Sequence, residues 1–133
     1  GGVVRYPSDE MTLCFRADPE LPPASADRDL APDGFWSIAL FHGLHRSKGD
    51  YGDLREIYDA MRGWDHPPEL LPIASSIENF KYFLCTDGRR RDQILLAGEV
   101  WQEKRAEGIS VTQEDYACLC MCFSAMIDTL AFT

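Results

Sequence analysis

The sequence predicts an α+β fold: a mostly antiparallel sheet of about five to six strands with helices packed on one face. Three observations carry this. Strand-like runs outnumber helical ones and follow the order β-β-β-α-β-β-β-α, without the βαβα alternation of a parallel sheet. A helical stripe recurs in two places only, Leu54-Ile57-Tyr58-Met61 and Tyr116-Leu119-Cys120-Phe123-Ile127-Leu130. A turn signal, Thr86-Asp87-Gly88, separates two apolar runs in the manner of a hairpin.

Val3–Tyr6 is short, β-prone and stopped by Pro7. Met11–Arg16 alternates and ends before Asp18-Pro19, so it reads as a strand. Residues 17–34 hold four prolines with Asp27, Asp29 and Asp33, a long acidic loop of the kind that often carries function. Phe35–Leu44 reads as one central strand with Trp36 in the core. Asp50–Arg62 is the first amphipathic helix, with Asp50 as N-cap and Gly63 as C′ residue. Asp65-His66-Pro67-Pro68 stops it. Leu70–Ala74 is a short apolar strand, and Pro72 within it points to an edge or a strand entrance. Phe80–Cys85 pairs with Gln93–Ala97, and Val100-Trp101 continues that partner or adds a strand. Glu103–Gly108 is a polar connection. Ser110 or Thr112 opens a closing helix reaching Phe132, with Ser110-x-x-Gln113 in the form of a capping box. A single domain over residues 1–133 fits a chain of this length.

The 133 residues carry 13 basic and 22 acidic side chains, a net charge of −9 spread over both halves. Coating DNA or RNA needs clustered Lys and Arg, so no nucleic-acid partner is expected; a basic protein partner fits the charge. The longest apolar run, Ala117–Phe123, falls far short of the roughly 20 residues that span a membrane, so no membrane partner is expected. Five cysteines, three of them in Cys118-x-Cys120-x-Cys122, match neither a disulfide framework nor a zinc spacing. They read as small buried hydrophobes of a cytoplasmic protein, with Cys118 and Cys122 sharing a helix face. No signal-peptide pattern opens the sequence.

Motifs for chemistry are sparse. His42-x-x-His45 follows a strand and straddles Gly43, which suits strand-end histidines better than a metal site. Glycine-rich phosphate loops and a G-x-S-x-G elbow are absent. Arg89-Arg90-Arg91, flanked by Asp87 and Asp92, reads as a solvated hairpin tip. No catalytic residue, metal ligand or cofactor is expected.

The stretch from Leu70-Leu71-Pro72-Ile73-Ala74 through Ser75-Ser76-Ile77-Glu78-Asn79 to Phe80-Lys81-Tyr82-Phe83-Leu84-Cys85-Thr86-Asp87-Gly88 resembles the SUKH superfamily, the SMI1/KNR4-like domains. There a helix leads to an "LLPIA" strand, a polar turn with an Asn, a further apolar strand and, at the end, a helix that begins near a Ser. The resemblance covers about residues 35–133, with Asp50–Arg62 and Ser110–Phe132 as the helices. It implies that Gly1-Gly2 is the remnant of the family's Asn-Gly-Gly turn, after an N-terminal helix that this chain lacks. It further implies a non-enzymatic protein-binding domain. The first expectation is an immunity protein that binds and blocks a cognate basic, nuclease-type toxin. The alternative is a viral US22-like regulator that binds a host protein. A second alternative, from a different class, is a small hydrolase using Cys14 or Cys85 with a His, or the His42/His45 pair. On the first expectation the partner contacts are Asp27, Asp29 and Asp33 in the loop, Asp50 and Asp53 at the helix start, and Trp64 as an aromatic anchor.

Overall fold

Strands in the middle of the chain build a sheet buried on both faces, and the other elements are laid over it. The computed structural model describes residues 2–3, 11–21, 31, 33–43 and 53–132. In chain order these form β1 (Gly2–Val3), β2 (Leu13–Arg16), β3 (Phe35–Ser37), β4 (Leu40–Phe41), α1 (Leu54–Gly63), β5 (Leu70–Ser75), β6 (Lys81–Cys85), β7 (Ile94–Leu96), α2 (Glu99–Ala106), a 3-10 turn (Gln113–Asp115), β8 (Ala117–Cys120), α3 (Phe123–Asp128) and β9 (Ala131–Phe132). The fold is α+β, as the sequence predicts. Six strands make an antiparallel sheet in the order β1-β4-β5-β6-β7-β8, and three make a second sheet, β3-β2-β9.

The large sheet separates two hydrophobic layers. On one face Leu70, Phe83, Cys85, Leu95 and Tyr116 meet Met61 of α1 and Trp101 of α2. On the other face Ala74, Tyr82, Ile94 and Leu96 pack with Phe15 and Trp36 of the small sheet and with Met126 of α3. Because both faces are covered, Ile94, Leu95 and Leu96 are all buried and β7 shows no alternation.

β5 and β6 lie where the sequence places strands, and they pair with each other as an antiparallel hairpin. Asn79 takes the left-handed conformation (φ 70°), which Asn tolerates better than most residues. Ser76 closes the turn: its N–H donates to Phe80 O (2.9 Å), and its Oγ accepts from Phe80 N (2.9 Å). β5 is interior rather than an edge, lying between β4 and β6. Pro72 is accommodated there by a register shift between Pro72 and Ala74, a bulge that relieves the strand of a ladder hydrogen bond proline cannot donate.

Three expectations are corrected. Phe35–Leu44 is not one strand. The chain passes from the small sheet to the large one at Ile38 and Ala39, whose N–H groups donate to Leu13 O and Ser75 O respectively (2.8 and 2.9 Å). Val100-Trp101 and the polar segment after it are not strand and loop but α2, with Glu99 in its first turn and Lys104 and Arg105 in its last, as the helix dipole favours. The closing helix is the largest departure. Ala117–Cys120 is a strand paired with β7, and only Phe123–Asp128 is α-helical. The reciprocal cap joins Thr112 and Asp115, two residues on from Ser110 and Gln113: Thr112 N–H donates to Asp115 Oδ2 (2.8 Å). Val3–Tyr6 beyond β1 lies outside the described residues.

Candidate functional site

α1 begins at Asp53, not Asp50. The Asp53 carboxylate accepts from Arg55 N (2.9 Å), so it is the N-cap. It also takes two bonds from the Arg55 guanidinium, each 3.1 Å. Asp53 is fully buried, so it is a structural anchor and not the surface contact the sequence reading made of it. Asp50, Asp27 and Asp29 lie outside the described residues. Asp33 is exposed and accepts from Phe35 N (3.0 Å) at the entry to β3. The described ends of the acidic loop are tied by Ala17 N–H donating to Gly34 O (2.9 Å).

The end of α1 is a Schellman turn that Asp65, not Gly63, makes possible. Gly63 is still helical and Trp64 is the C-cap. Asp65 N–H donates to Arg62 O (3.0 Å) and His66 N–H to Met61 O (3.1 Å), the two bonds that define the motif. The motif needs a left-handed residue at the position after the cap, and Asp65 supplies it (φ 63°). The reversal sends neighbouring rings in opposite directions. Trp64 is left 62% exposed, whereas His66 turns inward and is buried.

His66 completes an aromatic core beneath the turn. It stacks on Trp101 (centroids 5.0 Å apart, planes 3° apart) and lies 4.8 Å from Phe83. Its Nδ1 is 2.5 Å from Tyr116 Oη. Burial foremost, then the Arg105 guanidinium, lowers the His66 pKa to about 4, against an opposing pull from Asp65. The ring is therefore neutral near pH 7 and Nδ1 accepts from the tyrosine. Burial likewise pushes the Tyr116 hydroxyl above its ordinary range, so it keeps its proton to donate.

Above this core a cleft of about 490 Å³ opens between the end of α1 and the chain that follows α2. Arg62, Asp65, Pro67, Glu69, Arg105 and Ile109 line it, and Trp64 stands between two of these in the chain. Arg105 bridges to Asp65 (3.0 Å) and lies over the Trp101 ring, 6.0 Å from its centroid. Arg62 donates to His66 O. The cleft thus presents proline, isoleucine and valine surface within a rim of both charges.

The remaining candidates fall into place. His42 is buried with Nε2 2.8 Å from Ser75 Oγ; His45 lies outside the described residues. Among the described residues no group of three His, Cys, Asp or Glu side chains could hold a metal ion. No helix among them is long and apolar enough to cross a membrane. All five cysteines are free thiols. Burial raises the pKa of Cys85 and Cys118, and carries Cys120 to about 12. The register shift between Ile94 and Leu95 sets Cys118 on the α1–α2 side and Cys120 on the other, so the shared helix face expected of Cys118 and Cys122 does not exist. Arg89 and Arg90 are not simply solvated: Arg89 pairs with Glu114, and Arg90 donates to Gln113 O (3.1 Å) and to Tyr116 O.

The chain matches no family model, no curated protein and no solved structure.

Proposed function

We propose that the chain is a non-enzymatic protein-binding domain of the immunity type, which binds and blocks a basic, nuclease-type toxin. The observation that carries this reading is Trp64. A tryptophan held 62% exposed at the end of α1, next in the chain to the cleft-lining Asp65, by a turn that commits His66 to the core, has the character of an interface anchor. A net charge of −9 supports a basic partner, since complementary fields speed encounter and set specificity. The SUKH resemblance at Leu70–Gly88 supports the immunity role. Capture on the immobilised chain at low salt, followed by mass spectrometry, tests it. The expected catch is one basic polypeptide, released by salt, whose nuclease activity the chain suppresses at equal stoichiometry. Trp64→Ala should weaken capture by about tenfold or more, the scale of losing an interface hot spot. Capture that Trp64→Ala leaves intact, or a captured protein whose activity is untouched, overturns the reading.

A further inference from the structure

On the same face of the large sheet, away from Trp64, a second cleft of about 440 Å³ has a different lining. Its polar residues are Lys81, His42, Ser75, Ser76 and Asn79, and Leu40 and Ile57 are among its apolar ones. Among the described residues no carboxylate lines it, in a chain with 22 acidic side chains. We propose that this cleft binds a small oxyanion, a phosphate or carboxylate head on a compact apolar body, with the Lys81 ammonium as its charge partner.

The argument begins with the register of the β5–β6 hairpin, which sets Ser75 opposite Lys81. Lys81 Nζ donates to Ser75 Oγ (2.8 Å) and to Asn79 Oδ1 (2.9 Å). The left-handed turn at Asn79 brings that amide back over the strand. Ser75 Oγ also meets His42 Nε2 at 2.8 Å, so the serine is the hub that fixes both basic side chains. An ammonium has three N–H donors, and this one uses two, both on neutral oxygens. Several other cations behave differently. Arg55, Arg89, Lys104 and Arg105 each sit within salt-bridge distance of a carboxylate. Glu78, the acid nearest in the turn, accepts instead from Ser37 Oγ (3.2 Å). Lys81 is a half-buried cation whose bonds leave its charge unneutralised among the described residues, and burial already lowers its pKa. An anion in the cleft would relieve that cost, and Leu40 and Ile57 would receive its apolar part.

Amide chemical shifts of the full chain, followed during titration with inorganic phosphate and separately with butyrate at constant ionic strength, test the proposal. Saturable shifts confined to His42 and Ser75–Lys81 are expected. Saturation by phosphate alone identifies the phosphate head, and by butyrate alone the carboxylate. Lys81→Met should weaken binding by about tenfold or more, as expected for loss of a charge-assisted hydrogen bond. Ser75→Ala, which keeps the ammonium and removes its hub, should weaken it less and guards against a misfolded Lys81 variant. Linear shifts with both anions, shifts centred on Arg89–Arg91, or undiminished saturation in folded Lys81→Met would overturn it.

Discussion

At the scale of single residues, the chemistry concentrates where a side chain has been forced out of water. His66 illustrates the cost. The unfolded chain protonates this imidazole at its ordinary value near 6.5, and the folded chain resists until about 4. Above pH 6.5 both states are neutral and nothing is lost. As pH falls from 6.5 toward 4 the unfolded state binds a proton that the folded state refuses, so stability declines. The full shift corresponds to about 3 kcal/mol, reached near pH 4. Asp115 titrates in a different window. Burial alone would raise its carboxyl, but the Lys104 ammonium at 2.7 Å and the Thr112 N–H hold it below the ordinary value. Its contribution is therefore lost only at still lower pH. Replacing His66 with Phe keeps a ring in the stack and removes the titration. Urea melts of His66→Phe should show the slope between pH 6.5 and 4 largely flattened. At pH 7 the variant should be about 1 kcal/mol less stable, because Tyr116 loses its acceptor. A slope as steep as wild type would place the acid sensitivity elsewhere.

At the scale of elements, legibility in the sequence tracked whether one period dominated. α1 was visible because Leu54, Ile57, Tyr58 and Met61 keep helical spacing beside polar neighbours, although its caps lay elsewhere. β5 and β6 were visible because turn residues bracket them. The segment from Ala117 to Phe123 is continuously apolar, and such a run satisfies a helical and a strand template alike. Pairing with β7, which buries both sides of β8, decided the matter. α2 was hidden by Val100 and Trp101, both β-prone; Trp101 covers the sheet, whereas Val100 faces solvent. The candidate site was legible only in Trp64. The Ser75–Lys81 pairing depends on hairpin register, and the His66 stack brings together residues 66, 83, 101 and 116, which no local pattern links. The β6–β7 connection shows how tightly one such junction is fitted. Gly88 has φ 88°, and a Cβ there would run into Gln113 Nε2. That amide is already engaged, donating to Glu69 Oε1 (3.0 Å) and Asp87 O (3.2 Å) while its Oε1 accepts from Arg90 N (2.9 Å). Gly88→Ala should therefore cost about 2–3 kcal/mol, combining left-handed strain with the lost bonds. Gln113→Ala in the same chain should absorb part of that cost, and a double-mutant cycle will read the coupling. Strictly additive losses would mean that the two residues do not share the contact.

At the scale of the whole molecule, the small sheet and α3 depend on the large sheet for a surface, and Tyr82 is where the two are joined. It sits in β6, the middle of the large sheet, and is fully buried. Its ring meets Phe15 of β2 edge-on (centroids 5.1 Å apart) and Trp36 of β3 in the same manner (6.5 Å). Its hydroxyl donates to Ser37 O at 2.7 Å, and burial holds that hydroxyl well above its ordinary pKa. One side chain therefore supplies both packing and a hydrogen bond across the layer boundary. The small sheet has no core of its own to fall back on, since it has three short strands and its buried Phe15 and Trp36 belong to the cluster that contains Tyr82. Unfolding should be cooperative on this account. Tyr82→Phe should cost about 1 kcal/mol by removing the bond to Ser37 alone. Tyr82→Ala should cost about 3–5 kcal/mol, a large-to-small change in a closed core. In both variants, made in a Trp64→Phe, Trp101→Phe background so that the fluorescence reports Trp36, tryptophan fluorescence and far-ultraviolet circular dichroism should follow one urea transition. If fluorescence in Tyr82→Ala changed at lower urea than the dichroism, the small sheet would be separating first, and the two layers would have to be treated as independent units.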